Sequence, residues 1–384
     1  MEKLIYLDNS ATTPVAKEVE EAMAPYFAVD YGNASSLHEA GRRARRAIED
    51  ARAQLAESLG AVPSEIVFTA GATEAINLAI LGLAFAHEEK RHIVTSAIEH
   101  HAVLHACRWL EKRGYDLTVL EVDESGMVNL DQLKDVLRED TLLVSIIAGS
   151  NEIGTLQPLE EIGDLCREKG VLFHTDAVQA YGKVALPTDV IDLLSISAHK
   201  LHGPKGVGLL MIRKGISLTP ILHGGGHEAG RRSGTENTPG IVGLSAASRL
   251  AFGDGEIATG RMREYRELLM DGIGKIPGTR LNGHRQNSLP HIVNASFEGI
   301  EGESLVMRLD DKGIAVSTGS ACSSPDLEPS HVLMAIGVPI SMVHGSLRIS
   351  TGRQTERTDI ERFLEVLPGV VGQLRAISPF KVGG

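Results

Sequence analysis

Cysteine is scarce in this chain: only Cys107, Cys166 and Cys322 occur among 384 residues. Three thiols at unrelated spacings exclude a disulfide framework and a cysteine-built zinc cluster. Positive charge is in deficit too, with 38 basic against 50 acidic side chains and a net charge of -12. That balance argues against a general nucleic-acid surface and against attraction to anionic membranes. There is no uninterrupted apolar run of about 18 residues, and MEKLIYLDNSATTP has no charged region followed by an apolar core, so a cytoplasmic protein is expected. Internal repeats and low-complexity linkers are missing as well.

What is present is an ordinary globular composition, 42% hydrophobic and 23% charged. The length exceeds what one core usually fills, so two packed domains are expected. From residue 14 to about 250, apolar runs alternate with helical segments, the pattern of an α/β unit with a mixed, mostly parallel sheet. The candidate strands are 66–69, 92–96, 117–122, 142–148, 171–175, 193–197 and 207–212. HGGGHEAGRRSGTEN, residues 223–237, reads as a long irregular loop. Beyond residue 255 the order changes. Helices at 260–276, 303–312, 329–336 and 359–374 and strands at 291–297, 315–318 and 346–350 suggest a smaller α+β domain. Arg42, Arg43, Arg45 and Arg46 read as a solvated helix face.

Ligands in open α/β sheets gather at the carboxyl ends of the strands, so the polar residues just past those ends carry the chemical information. Lys200, in SISAHKLHGPKGVG, comes directly after one strand. It could be a solvated charge, a phosphate contact, or an amine ready to form a Schiff base. Gly71, Ala72 and Thr73 open a helix whose free N–H groups could bind phosphate, although a threonine there also serves as a simple cap. Asp176 closes an apolar run and needs a partner, either a salt bridge or a heterocyclic nitrogen held protonated. Gln179, on the next turn, offers an amide to a phenolic oxygen. His101 and His105 share a helix face but complete no zinc motif, and His100 is better placed to stack on an aromatic ring. Cys107 and Cys166 sit in helical patterns as packed apolar residues. Cys322, in TGSACSSPD, lies on a glycine- and serine-rich loop.

These stretches occur together with LDNSATTP, GNASSLHEAG, IVFTAGATEAINLAI, IEHHAVL, SNEIGTLQPL, FHTDAVQAYGK and IEGESLVMRL. In that order and spacing the chain resembles the cysteine desulfurases, the NifS/IscS group of class V, fold-type I pyridoxal-phosphate enzymes. The resemblance covers essentially the whole chain and is to the subgroup with an SGSAC-type cysteine loop, here TGSAC. It implies a large cofactor-binding domain over 14–255 and a small domain made of 1–13 with 256–384. Ala34 and Ser150 stand where the family more often has proline and asparagine.

By the same resemblance, pyridoxal 5′-phosphate would be bound by Lys200 through a Schiff base. Asp176 would pair with the ring nitrogen, Gln179 with the phenolic oxygen, and His100 would stack on the ring. Ala72, Thr73, Ser197 and His199 would hold the phosphate, with Thr235 reaching it from the second subunit of a homodimer. Asn151 and Arg348 would meet the carboxylate of L-cysteine. Cys322 would take the sulfur as a persulfide, release alanine, and hand the sulfur to an acceptor such as an IscU-type iron-sulfur scaffold. No metal ligand is expected, a cluster contact by Cys322 being the one chemical option. Selenocysteine lyase or transaminase chemistry on the same scaffold, and a silent binding subunit, are the competing readings.

Overall fold

The computed structural model describes residues 4–253, 255–319 and 329–378. In chain order its strands are β1 (Ile5–Tyr6), β2 (Ile66–Thr69), β3 (His92–Ser96), β4 (Asp116–Leu120), β5 (Thr141–Ser145), β6 (Leu172–Asp176), β7 (Leu193–Ser197), β8 (Gly208–Ile212), β9 (Thr279–Asn282), β10 (Ile292–Phe297), β11 (Ile314–Ala315) and β12 (Ser346–Ser350). Seven of them form one sheet in the order β2-β8-β7-β6-β5-β3-β4. Strands β4, β3, β5, β6 and β7 run parallel, and β8 is antiparallel to both β7 and β2. The carboxyl ends of β2, β3, β5, β6 and β7 therefore share one edge.

Helices cover both faces of this sheet, so its inner strands are apolar on both sides rather than alternating with polar residues. Ile66, Phe68, Leu194, Ile196, Leu209 and Met211 face one core, with the helices Glu39–Ser58, Leu159–Lys169 and Thr238–Gly253. Val67, Leu193, Leu210 and Ile212 face the other, against the helices Ala72–Ala86 and His101–Glu111. Neighbouring residues thus point to opposite cores, as strand geometry requires. Cys107 and Cys166 are buried in these helices, one on each face. His174 is the polar exception inside β6: its ring nitrogens meet Ser145 Oγ at 2.8 Å and Ser195 Oγ at 2.9 Å. Burial pushes its pKa down to about 3, so it bridges three strands as a neutral group.

The expected strand at 142–148 leaves the ladder at Ser145, yet Ile146 and Ala148 still donate to the carbonyls of His174 and Asp176. Similarly, the run at 315–318 pairs regularly only as β11 with β1, while Ser317 bridges singly to Arg348. Strand β9 was not legible, because its four residues mix polar and apolar types and pair only along β10.

The second core lies among β10, β12 and the helices Gly255–Ile273, Gly302–Asp310 and Arg357–Ile377. The N-terminal segment belongs to it: β1 pairs with β11, and Ser350 N donates to Leu7 O. The segment then crosses to the large sheet, where Thr13 N donates to His199 O. The loop 223–237 is anchored by Glu228, which accepts from both Arg52 terminal nitrogens at 2.8 Å and from Phe68 N at 2.9 Å. Arg42 and Arg43 lie exposed and pair with Glu39, as a solvated face should. Among the described residues, no helix is long and apolar enough to cross a membrane.

Candidate active site

A cleft of about 830 Å³ opens at the shared strand edge. Each strand delivers to it the residues at or just past its carboxyl end: Ala72 and Thr73 after β2, Glu99 and His100 after β3, Asn151 after β5, Asp176 and Gln179 from β6, and Ser197, His199 and Lys200 from β7. Arg348 enters from β12 of the other core. Ten residues that the sequence singled out, on six different segments, therefore line one space. Thr235 is exposed and does not line the cleft of its own chain. Cys322 lies outside the described residues.

The helix Ala72–Ala86 begins at Gly71, which has φ 153° and provides no side-chain cap. Its first N–H groups thus stay open to the cleft, at the positive end of a four-turn helix. Gly208 makes this approach possible, since a Cβ there would lie 2.5 Å from Ile196 O and 2.9 Å from Gly71 Cα.

Lys200 sits in a short turn after β7, and its ammonium donates to Ser10 O at 2.5 Å and Ala11 O at 2.7 Å. Gln179 Nε2 donates to the same Ser10 oxygen at 2.9 Å, while its Oε1 faces His291 Nε2 at 3.1 Å. One hydrogen of the Gln179 amide remains for a ligand. Asp176 is buried and accepts from Val178 N at 3.0 Å. Burial raises its carboxyl to about 6, against the opposing pull of that N–H and of Lys200. Among the described residues it forms no ion pair within 4 Å, and Lys200 acts on it through the field alone.

His100 caps the helix His101–Glu111, its Nδ1 accepting from Ala102 N at 3.1 Å, which fixes the ring plane over the cleft. Burial first, and Lys200 second, push His100 and His199 down to about 4, so both are neutral near pH 7. His101 lies with its ring centroid 5.1 Å from His105 and 4.8 Å from His331. Among the described residues no group of three or more suitable side chains could hold a metal. Arg348 donates to Asn151 O at 3.1 Å and to Asp8 Oδ1 at 2.9 Å, and its buried Nε has no partner among the described residues. Ser150 Oγ accepts from Glu152 N and Ile153 N, which shapes the turn that carries Asn151.

Sequence reasoning missed Glu99, the residue before His100. Its Oε1 accepts from Ser96 Oγ at 2.6 Å and Ile147 N at 2.9 Å, and its buried Oε2 has no partner among the described residues. Burial pushes this carboxyl up to about 8. It is therefore a neutral acid at pH 7. An acid between an apolar strand and a histidine cap was the available signal. Ser10 and Ala11 were missed as well, because they act through backbone oxygens that no side-chain pattern announces.

The chain matches the family Aminotransferase class-V over residues 5–363. It is 54% identical to the cysteine desulfurase IscS of Methanosarcina thermophila, over 98% of this chain and 94% of that protein. A solved NifS-like protein superposes with a TM-score of 0.91 at 39% identity, covering 97% of this chain and 100% of that one. The structure of SspA in complex with cysteine has a TM-score of 0.80, also at 39% identity, over 91% and 99% of the two chains. The sheet topology and the lysine-centred cleft define a fold-type I pyridoxal-phosphate enzyme. The chain belongs to the class-V aminotransferase family, among its cysteine desulfurases.

Proposed function

We propose that this cleft binds pyridoxal 5′-phosphate and L-cysteine and removes the substrate sulfur, leaving alanine. The observation that carries the reading is the convergence of Lys200, Asp176, Arg348 and the open Ala72–Ala86 helix start in one cleft. The donor set fits the cofactor. Asp176 offers a buried carboxylate with no salt bridge among the described residues, which suits a protonated ring nitrogen, and Gln179 retains an amide hydrogen for the phenolic oxygen. His100 presents a neutral, fixed ring for stacking. Thr73, Ser197, His199 and the helix N–H groups make a phosphate cradle.

When bound, the cofactor supplies an electron sink for the pair released at the substrate α-carbon. The chain does the rest. Lys200 would hold the cofactor, and with its nitrogen neutral it would take the substrate α-proton. Arg348 and Asn151 receive the substrate carboxylate, with the unpartnered Nε of Arg348 oriented by Asp8. The Cys322 thiolate attacks the substrate sulfur and keeps it as a persulfide, while the carbon–sulfur bond breaks and its electron pair remains with the substrate. A homodimer, with Thr235 of the second copy completing the phosphate cradle, belongs to the same reading. So do a cytoplasmic setting and transfer of the persulfide to an acceptor for iron-sulfur cluster assembly.

The test is an absorption spectrum of purified protein before and after L-cysteine, with alanine and sulfide measured. Equimolar alanine and reducible sulfur are expected, with persulfide mapped to Cys322. Cys322→Ala should keep the cysteine-induced spectral change and lose sulfur transfer. Keto acid instead of alanine, or full sulfur transfer by Cys322→Ala, would sink the proposal.

A further inference from the structure

A second and much smaller cavity, of about 30 Å³, shares Lys200 with the cleft and is also lined by Lys183, His202, His291, Thr351 and Arg353. Lys183 stands four residues after Gln179, and its ammonium donates to Lys200 O at 3.0 Å and to Gln179 O at 3.3 Å. It thereby fastens the backbones of two cleft residues from behind their side chains. Among the described residues no aspartate or glutamate lines this cavity, and Lys183 forms no ion pair. A desolvated cation without a carboxylate costs stability, so an apolar or smaller residue would serve a merely structural purpose better.

Asp176 on β6 favours the protonated form of Lys200, as do the carbonyls of Ser10 and Ala11. His100, His199 and His291 face it as well, and burial holds all three well below their ordinary value, so they carry no charge near pH 7. The cations that share these two spaces with Lys200 are Lys183 and Arg353 in the small cavity and Lys205 and Arg348 in the cleft. Burial, then Lys200, push the Lys183 amine down to about 7. Repulsion between two lysines is mutual, and a neighbouring cation is a general way to free a lysine of its proton. Once the Asp176 charge is matched by a protonated ring nitrogen, Lys183 acts in the same direction as Arg353, Arg348 and Lys205.

We propose that Lys183 is a positioning residue, a second lysine that braces the Lys200 backbone and uses its positive charge to disfavour a proton on the Lys200 nitrogen, free or joined to cofactor. This rests on the reading that Lys200 carries the cofactor. The experiment tracks the visible absorption of the holoenzyme across pH, without substrate. Lys183→Met and Lys183→Gln should each move the midpoint upward by about one unit, and Lys183→Arg should stay within about 0.3 unit of the parent. Having two uncharged variants guards against one that fails to fold. An unmoved or lowered midpoint in an uncharged variant, with the borohydride-reduced adduct mapped to Lys200, overturns the role of Lys183 alone. Mapping that adduct to another lysine overturns both readings.

Discussion

The Lys200 ammonium is held by the backbone oxygen of Ser10, a residue 190 positions earlier in the chain. Ser10 itself is fastened to β12, its N–H donating to Ser350 Oγ at 2.8 Å. The amine that would carry the cofactor is thus aimed by a strand of the second core. Such a contact couples the two cores through the reacting group, without any side chain of its own.

Arg348 offers the most direct substrate test. Its two terminal nitrogens are committed to Asn151 and Asp8, which leaves the planar fork fixed and the buried Nε unpaired. Arg348→Lys keeps the charge but loses the fork geometry. A charge-assisted hydrogen bond contributes about 1.5–3 kcal/mol, so KM for L-cysteine should rise by about ten- to a hundredfold, with a smaller change in kcat. Steady-state kinetics of alanine release check this, and an unchanged KM would remove Arg348 from the carboxylate site.

Glu99 should leave a mark on stability. Its folded-state carboxyl lies at about 8, above its ordinary value. For a raised carboxyl the favourable contribution is complete below the unfolded value near 4.5 and is lost as pH climbs to about 8. Glu99→Gln has no such loss. Urea unfolding at pH 5 and pH 8 should therefore show the variant gaining on the parent protein by up to about 4 kcal/mol. A constant difference between the two pH values would mean that Glu99 is ionised in the fold.

Gly208 tests the phosphate cradle by pure geometry. A methyl group there overlaps Ile196 O and the backbone of Gly71, so Gly208→Ala must displace the helix start. Equilibrium dialysis should show cofactor affinity weakened by about tenfold or more, since the open N–H groups lose their alignment. Far-UV circular dichroism should change little, because the displacement is local.

The Arg52–Glu228 pair secures the loop 223–237 on β2, with side chains 11% and 3% exposed. Breaking a buried pair from one side leaves an uncompensated charge. Glu228→Ala should cost about 3–5 kcal/mol in a denaturant titration, and a value below about 1 kcal/mol would place the pair effectively in water.

Strands 66–69, 92–96 and 193–197 were legible to the residue as short, mainly apolar runs cut off by turn-forming residues, and 346–350 by its alternation of polar and apolar residues. The cleft residues were legible for a related reason. Parallel strands deliver the residues past their carboxyl ends to one edge, so a list of strand-end residues is already a list of neighbours. Gly71, Asp176 and Lys200 needed no coordinates to be placed near one another.

Other features arise from contacts that leave no local trace. β9 has no periodic pattern, and its identity as a strand comes from β10 beside it. The unpaired Oε2 of Glu99 among the described residues, the commitment of Arg348 to Asp8, and the grip of Lys183 on Lys200 O depend on how separate segments of the chain pack and exclude water. Sequence by itself therefore determined the layers of the fold and the roster of groups at the strand ends, because hydrophobic period and turn chemistry are local. Tertiary structure alone decided which of those groups are desolvated, which are already paired, and hence which carry a charge. Electrostatics depends on distance and dielectric, and neither exists until the chain has folded.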